Sequence, residues 1–252
     1  MQRYFVSNKS IKNNKITITD GDCYHMYKVM RMVPGDIVLV CDEDQKTYRS
    51  QIETINNEEV ILTILETLKQ NNEMKIKVTV AQGLIRREKQ EEVVQKITQL
   101  GAYAYLPVEM EYSIVKVKTE KVQKKKERMQ KIAKEASEQS HRSSILKVYD
   151  PVSFKELVDI KDQYDLCLFA YEEIAKTGES ALKKILESFN GTNILILFGP
   201  EGGISNAEAQ ILSERGFLPV ELGPRILRTE TAPLYFLSAI SYQFELGDQN
   251  EI

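Results

Sequence analysis

Short stretches in which apolar and polar residues alternate dominate the first 70 residues. A period of two is typical of strands that bury one face, and it predicts strands over residues 3–6, 16–19, 37–41, 48–55 and 60–65. A short helix is predicted over 25–32, and Pro34-Gly35-Asp36 marks the turn that follows it. Several short strands separated by turns indicate a small β-barrel.

From residue 76 onward, short apolar runs alternate with longer amphipathic segments. The pattern predicts strands over 76–82, 102–108, 145–148, 166–170, 193–198 and 218–222, and helices over 88–100, 118–140, 154–160, 179–189 and 231–246. Strands that alternate with helices favour an α/β fold with a mostly parallel sheet. The polar segment 69–73 is the predicted linker, so we expect one domain over 1–72 and a second over 73–252.

Two Gly-Pro loops follow two of the predicted strands. Gly199-Pro200-Glu201-Gly202-Gly203 comes directly after the run 193–198, and Gly223-Pro224-Arg225 follows the run 218–222. Ser205 and Glu208, like Ser153 and Glu156, have the spacing of a helix capping box. Ligands bind at the carboxyl ends of strands in open α/β sheets, so both loops predict a binding site.

The composition of the first loop limits which ligand it binds. Glycine lets a ligand approach the backbone closely and reaches positive φ without steric cost. The loop lacks the Gly-Lys-Ser/Thr ending of nucleoside triphosphate sites and the Gly-x-Gly-x-x-Gly of dinucleotide sites, which makes both ligands poor candidates. The scattered Cys23, Cys41 and Cys167 predict small core residues rather than a metal site or disulfides.

The net charge of −3 hides an uneven distribution. Residues 73–150 carry a net charge of +6, and the densest part, 116–134, holds nine Lys or Arg against two Glu. Such a segment can contact RNA phosphates, or it can be a solvated helix face. Without a signal peptide or an apolar run of membrane-spanning length, the expected location is the cytoplasm.

Several motifs, in order along the chain, resemble those of one family. These are His25-Met26-Tyr27-Lys28 with Pro34-Gly35-Asp36, Lys96-Ile97-Thr98-Gln99-Leu100-Gly101, Glu138-Gln139-Ser140-His141-Arg142, the first glycine loop, and Arg225-Ile226-Leu227-Arg228-Thr229-Glu230-Thr231-Ala232. Together they resemble the RsmE family of SPOUT RNA methyltransferases, although Gln99 stands where that family is expected to have Glu.

The resemblance implies a PUA-like RNA-binding β-barrel over 1–72 and a SPOUT methyltransferase domain with a C-terminal trefoil knot over 73–252. It also implies S-adenosylmethionine as cofactor, no metal, and methylation of N3 of a uridine in 16S ribosomal RNA of the small subunit. The cofactor-binding residues implied are Phe169, Ala170, Tyr171, Phe198, Gly199, Pro200, Glu201, Gly203, Leu222, Gly223, Ile226, Leu227, Thr231 and Ala232. For Leu222, Ile226 and Leu227 the alternative is strand-end core.

Arg228 and Glu230 are the expected catalytic residues. A guanidinium can stabilise a uridine anion through its carbonyl oxygens, and Glu230 can act as a base or a positioning acceptor. The alternative for this pair is an internal salt bridge that fixes the loop. Arg225 is expected to brace the loop, and His141 is not expected to accept the proton.

The resemblance also implies RNA contacts and partners. The expected RNA-binding residues are Arg3, His25, Arg31, Glu138 and Arg142. Local packing is the alternative for His25 and Arg31, and a contact with the other subunit is the alternative for Glu138 and Arg142. The final helix carries apolar residues on more than one face, which favours a homodimer. The resemblance implies an RNA site that combines the barrel of one subunit with the knot of the other. Two other functions stay open: a noncatalytic RNA-binding or assembly factor, and a SPOUT enzyme with another target such as a ribose 2′-hydroxyl.

Overall fold

The computed structural model describes residues 1–19, 21–69, 72–116, 119–173 and 181–246. The chain forms two compact units. Unit 1 contains Met1–Glu73 and Ser137–Ile145, and unit 2 contains Met74–Ala136 and Leu146–Ile252. No helix within the described ranges is long and apolar enough to cross a membrane.

Unit 1 is built on a curled six-stranded sheet. Its strands are β1 (Arg3–Phe5), β2 (Ile11–Lys12), β3 (Lys15–Ile18), β4 (Ile37–Cys41), β5 (Thr47–Ile55) and β6 (Val60–Leu68), in the spatial order β1-β4-β5-β6-β3-β2. The pair β1 and β4 is parallel, and the other neighbours are antiparallel. Alternate residues of these strands, such as Val38, Val40 and Leu62, form one apolar core, which confirms the small β-sheet domain expected from the period of two.

The helix of unit 1 differs from the prediction. Helix α1 (Gly21–Tyr24) begins four residues before the predicted 25–32 and continues as a wide turn over His25–Val29. In this turn the amide of Met30 donates to the carbonyl of His25, a bond to the fifth preceding residue. Arg31 then adopts φ +52°, a left-handed conformation that ends the helix before the predicted residue 32.

Unit 2 contains a parallel sheet flanked by helices. The strands are β7 (Lys77–Gly83), β8 (Ala104–Glu109), β9 (Lys147–Val148), β10 (Val152–Ser153), β11 (Leu166–Ala170), β12 (Asn193–Phe198) and β13 (Leu218–Val220). Their order is β10-β8-β7-β12-β11-β13, with β9 also paired to β8. The helices are α2 (Arg87–Gln99), α3 (Thr119–Gln139, whose last three residues belong to unit 1), α4 (Phe154–Asp159), α5 (Ala181–Ser188), α6 (Asn206–Glu214) and α7 (Ala232–Ser241).

Most predicted elements of unit 2 are confirmed to within two residues at the ends that the structure describes. Both capping boxes form: Ser153 Oγ accepts from the Glu156 amide at 3.2 Å, and Ser205 Oγ accepts from the Glu208 amide at 3.2 Å. The first two residues of the helix predicted over 179–189 lie outside the described ranges. All three cysteines are buried, as expected.

The last strand and the last helix are shorter than predicted. Strand β13 stops at Val220 because its partner β11 ends at Ala170, so no ladder continues to residue 222. Helix α7 ends at Ser241 and passes into a wide turn over Tyr242–Leu246, where the prediction extended a regular helix to 246.

The chain order of β12 and β13 decides where the loops of the site lie. Strand β11 lies between them, so the connection through α6 crosses β11 to the edge of the sheet. The chain then returns towards β12. Thr229 donates a hydrogen bond to Gly199, directly after β12, and Phe236 of α7 packs edge-on against Phe198 at the end of β12, with ring centroids 6.2 Å apart. The segment 221–231 therefore passes across the carboxyl ends of β11 and β12.

Candidate active site

Three loops meet at the carboxyl ends of β11, β12 and β13. They are the segments 169–172, 199–203 and 222–231, which contain most of the cofactor-binding residues that the resemblance implies. The Tyr171 amide donates to the Val220 carbonyl at 3.0 Å, which ties the first loop to β13. The Thr229 hydroxyl donates to the Gly199 carbonyl at 2.7 Å, which ties the third loop to the second.

Close backbone contacts explain why glycine occupies two positions of this site. A Cβ at Gly199 would lie 2.7 Å from the carbonyl carbon of Gly203, and a Cβ at Gly83 would lie 2.4 Å from Cδ of Pro200. Neither distance is tolerated, so any larger residue would push the 199–203 loop out of place. A Cβ at Gly203, by contrast, would meet no atom within 4 Å, so this part of the loop borders open space.

A chain of buried hydrogen bonds supports the loops from below. Gln82 Nε2 donates to the carbonyl of Thr229 at 2.8 Å and lies 3.1 Å from its hydroxyl, while Tyr105 donates to Gln82 Oε1 at 3.1 Å. Gln90 in turn donates to the Tyr105 hydroxyl at 3.2 Å. Burial raises the pKa of Tyr105, so its phenol stays protonated and keeps donating.

The sequence-based prediction did not include this chain of hydrogen bonds. Gln82 is a polar residue inside the mostly apolar run 78–85, whereas Gln90 lies among charged residues at the start of α2, and both side chains are buried. A buried amide requires partners, because leaving it without hydrogen bonds costs free energy. For Gln82, a polar residue within a predicted buried strand was the available signal. Gln90 offered none, because its charged neighbours Lys89 and Glu91 predict an exposed position.

The predicted cofactor residues divide into two groups. Phe169, Phe198, Pro200 and Ala232 are buried, so any contact of Phe169 and Phe198 with a ligand would come from the backbone rather than from the rings. The rest are at least partly accessible: Ala170, Tyr171, Gly199, Glu201, Gly203, Leu222, Gly223, Ile226, Leu227 and Thr231.

Ile226 decides between the two interpretations given for its loop. Its side chain is 83% exposed, so it is not part of a strand-end core. This side chain is therefore available for contact with a ligand or another chain. Leu222 and Leu227 are half-buried on the same loop.

Arg228 and Glu230 lie on the turn that precedes α7. Their nearest charged atoms, Nη1 of Arg228 and Oε1 of Glu230, are 3.9 Å apart, and the Arg228 side chain is 82% exposed. A contact this long and this exposed contributes little to holding a loop. The geometry therefore argues against an internal salt bridge that fixes the loop, and it leaves the Arg228 guanidinium available to a bound molecule.

Glu230 has a closer partner that the sequence-based prediction missed. Nζ of Lys89, in the first turn of α2, lies 3.1 Å from Oε2 of Glu230 and 3.9 Å from Oε1 of Glu201. Burial alone would raise the pKa of Glu230, but a hydrogen bond from its own backbone and the Lys89 ammonium outweigh that effect. The pKa of Glu230 is therefore below its ordinary value, and the side chain stays an ionised acceptor.

Two predicted RNA-binding residues of unit 1 are buried. Arg142 pairs with Glu73, with its Nε 3.2 Å from Oε2, and Arg3 donates to the carbonyl of Arg142. The exposed fractions are 6% for Arg3 and 3% for Arg142. The expectation that their side chains contact RNA is corrected here, because both guanidinium groups are enclosed and already bound within unit 1.

The other three predicted RNA-binding residues are more accessible. Arg31 is exposed at the end of the wide turn, where its left-handed backbone projects it beyond the helix. His25 is partly exposed and lies 3.3 Å, through Nδ1, from the Tyr4 hydroxyl. Glu138 is partly buried. Arg31 is therefore the predicted contact whose position fits the role best.

No cluster of three or more His, Cys, Asp or Glu side chains with the arrangement of a metal site occurs in the part of the chain that the structure describes.

Comparison with known families accounts for both units. An RNA methyltransferase domain family matches residues 72–241, and an RNA methyltransferase PUA domain family matches residues 18–65. The chain is 44% identical to the ribosomal RNA small subunit methyltransferase E of Bacillus subtilis over 99% of its own length and 100% of the relative's.

Solved structures show the same similarity. The ribosomal RNA small subunit methyltransferase E from Neisseria gonorrhoeae, bound to S-adenosyl methionine, superposes with a TM-score of 0.84 at 26% identity, covering 97% of this chain and 98% of that one. A Legionella pneumophila methyltransferase in complex with the same cofactor superposes with a TM-score of 0.84 at 28% identity, covering 95% of this chain and 96% of that one. The fold is thus that of SPOUT methyltransferases, with a PUA-like N-terminal part and a knotted C-terminal part. The chain belongs to the RsmE family of SPOUT RNA methyltransferases.

Proposed function

We propose that this protein transfers a methyl group from S-adenosylmethionine to N3 of a uridine in 16S ribosomal RNA of the small subunit. The observation that carries the proposal is an exposed Arg228 held beside three converging loops whose backbone borders open space. Residues 1–72 serve as the PUA-like RNA-binding domain and residues 73–252 as the methyltransferase domain. Because ribosomal RNA is the substrate, the site of action is the cytoplasm.

The loops fit an adenosine-containing cofactor. Segments 169–172, 199–203 and 222–231 offer backbone donors and acceptors, and the exposed Ile226 with Leu222 and Leu227 offers apolar surface for a purine. The backbone beside Gly203 borders the space that such a ligand would fill. When bound, the cofactor supplies an electrophilic methyl group on a sulfonium.

Arg228 and Glu230 have different roles in this proposal. The uracil N3–H bond breaks, with its proton passing to water, and an N3–methyl bond forms as the methyl–sulfur bond breaks. Negative charge therefore develops on the uracil carbonyl oxygens as the proton leaves. Arg228 stabilises that charge through its guanidinium. Glu230, whose pKa is lowered, is a weak base, and its role is to position the bound nucleoside as a hydrogen-bond acceptor that Lys89 holds in place.

The C-terminal helix supports a homodimer. Tyr235 on α7 is 42% exposed, and Tyr242 and Leu246 in the turn after it are 72% and 59% exposed. Phe236, Leu237 and Ile240 fill the opposite face, which packs in the core. We propose that the exposed face packs against a second copy of the chain.

The deciding experiment is nucleoside analysis after methylation in vitro. The purified protein, a small-subunit ribosomal RNA fragment and S-adenosylmethionine are incubated with a metal chelator present. We expect 3-methyluridine in digests of the product and none when the target uridine is replaced by cytidine. A methylated ribose would assign another target, and cofactor binding without any methylation would favour the noncatalytic RNA-binding factor.

A further inference from the structure

A tight turn over residues 110–113 follows β8 and lies next to the first glycine loop. The Ser113 amide donates to the Met110 carbonyl at 3.1 Å, and the buried Ser113 hydroxyl accepts from the Met110 amide at 3.2 Å. The Glu111 amide donates at 2.9 Å to Oε1 of Glu208, a buried carboxylate of α6. Bonds within the turn and to α6 therefore fix its shape.

The turn reaches the glycine loop across the end of β7, which lies between β8 and β12 in the sheet. A Cβ placed on Gly83, the last residue of β7, would lie 3.0 Å from Sδ of Met110. A Cβ placed on Gly202 would lie 2.8 Å from Cβ of Tyr112. The glycine loop therefore touches Tyr112 directly, one residue before Gly203, where its backbone borders open space.

Tyr112 is left exposed although its Cβ is held against the loop. Its exposed fraction is 47%. Two exposed arginines flank the same loop. The backbone amide of Arg86 lies 3.5 Å from Oε1 of Glu201, and Arg228 belongs to the segment that is hydrogen-bonded to the start of the loop. An aromatic ring between cationic side chains matches a polyanion that carries flat bases.

Methylation at N3 leaves the faces of the uracil ring free for support. N3 lies on the edge that pairs in duplex RNA, so the target uridine must leave any base pair and loses the stacking of its neighbours. Its N3 edge then has to face the methyl donor and the Arg228 guanidinium. The two faces of the ring remain available, and proteins hold unpaired RNA bases by stacking aromatic side chains on such faces.

We propose that the Tyr112 ring stacks on the uracil of the target uridine and fixes the plane of that base beside the glycine loop. The inference deepens the proposed function and rests on it for the identity of the base. Tyr112 binds the substrate through its ring and moves no proton.

The test compares four variants of the full-length protein. Tyr112→Ala removes the ring, Tyr112→Leu keeps an apolar side chain without an aromatic face, and Tyr112→Phe keeps the ring without the hydroxyl. Tyr149→Ala is the matched control, because Tyr149 is a tyrosine of unit 2 with a similar exposed fraction of 40%. Fluorescence anisotropy measures affinity for a small-subunit ribosomal RNA fragment. Circular dichroism and calorimetric binding of S-adenosylmethionine report whether each variant keeps its fold and its cofactor site.

A second series changes the RNA instead of the protein. Dihydrouridine replaces the uridines of the fragment one at a time. This nucleoside keeps N3–H and both carbonyl groups, but its saturated ring is not planar and stacks poorly. The series locates the base that Tyr112 contacts by binding alone, whether or not the RNA is methylated.

We expect Tyr112→Ala and Tyr112→Leu to weaken RNA binding about five- to 100-fold, the range for loss of one stacked base. Tyr112→Phe and Tyr149→Ala should bind RNA like the wild type, and all four variants should keep their cofactor affinity. The penalty of Tyr112→Ala should disappear when dihydrouridine stands at the uridine that the wild type methylates, and it should persist at every other position.

Several results would overturn the inference. Normal RNA binding by Tyr112→Ala and Tyr112→Leu would do so, as would a penalty that no dihydrouridine removes. A penalty that disappears at a neighbouring nucleotide would assign Tyr112 to a flanking base. Loss of S-adenosylmethionine affinity in a folded Tyr112→Leu would assign it to the cofactor site.

Failure of the proposed function gives a different result. A wild type that methylates a ribose, or that leaves the RNA unmethylated, would refute N3 methylation. A penalty confined to one uridine would, in that case, still support the stacking of Tyr112 on that base.

Discussion

Lys89 Nζ lies 3.1 Å from Oε2 of Glu230 and so connects the start of α2 to the turn that carries Arg228. The same ammonium lies 3.9 Å from Glu201 in the first glycine loop. One cation therefore lies between Glu201 and Glu230, two acidic residues from different loops that are 29 positions apart in sequence. Lys89 is therefore a residue that positions Glu230 and Glu201, and its substitution tests their role.

Substitution of Lys89 by methionine should shift the pH dependence of methyl transfer. Lys89 helps to hold the pKa of Glu230 below its ordinary value, so its removal raises that pKa. If the ionised Glu230 is needed, the acidic limb of the pH–rate profile moves to higher pH. Lys96→Met is the matched control, because Lys96 lies on the same helix and pairs with Glu92. An unchanged acidic limb in Lys89→Met would remove Glu230 ionisation from the mechanism.

Arg228→Ala should reduce methyl transfer much more than RNA binding. Loss of one group that stabilises developing charge typically costs roughly 100-fold or more in rate. The expected loss appears in kcat, measured with saturating RNA and cofactor. Arg215→Ala, at an exposed arginine after α6, serves as control and should behave as wild type. Equal losses of RNA affinity and turnover would make Arg228 a phosphate contact instead.

Thr229→Val should weaken cofactor binding without unfolding the protein. The valine keeps the shape of threonine but lacks its hydroxyl. The Gly199 carbonyl then loses its donor, and the side-chain amide of Gln82 loses one of its two acceptors on residue 229. We expect affinity for S-adenosylmethionine to fall roughly five- to tenfold by calorimetry. Thr229→Ser, which restores the hydroxyl, should recover most of it. Normal affinity in the valine variant would show that this bond does not position the loop.

Glu73→Gln should destabilise unit 1. Removing one member of a buried ion pair leaves the other charge uncompensated and costs about 3–5 kcal/mol. The exposed pair of Glu66 with Arg49 supplies the control Glu66→Gln, for which little change is expected. Denaturant unfolding monitored by circular dichroism measures both.

The same pair predicts how stability depends on pH. Burial raises the pKa of Glu73, but hydrogen bonds and charge from Arg142 outweigh it, so the folded-state pKa is lowered. The stabilisation is therefore complete above the ordinary value of 4.5 and is lost as pH falls through the lower folded value. Glu73→Gln should lose this part of the acid dependence. An acid dependence identical to that of the wild type would contradict the assignment.

The exposed apolar face at the C-terminus should mediate dimerisation. Tyr242→Lys places a charge on that face, and sedimentation velocity should show a shift from dimer towards monomer in the micromolar range. Tyr149→Lys changes an exposed tyrosine elsewhere in unit 2 and should leave the dimer intact. A wild-type protein that sediments as a stable monomer would contradict the proposed homodimer.

Local sequence patterns alone determined most elements and both capping boxes. The strand 193–198, the strand 166–170 and the two capped helices depend on residues close to one another in sequence, so hydrophobic periodicity and capping chemistry locate them. The glycine loops were predictable for the same reason, because a Gly-Pro segment directly after a buried strand already indicates an exposed strand end.

Only the tertiary structure decided which distant residues complete the site. Lys89 and Gln82 reach the 222–231 loop across about 140 residues of chain, and no local pattern encodes such a pairing. The family resemblance implied that Arg3 and Arg142 contact RNA, yet Glu73 and a backbone carbonyl bind their guanidinium groups. Strand β13 ended early because its partner ended. In each case the outcome depended on what packs against the residue, which the order of residues along the chain does not specify.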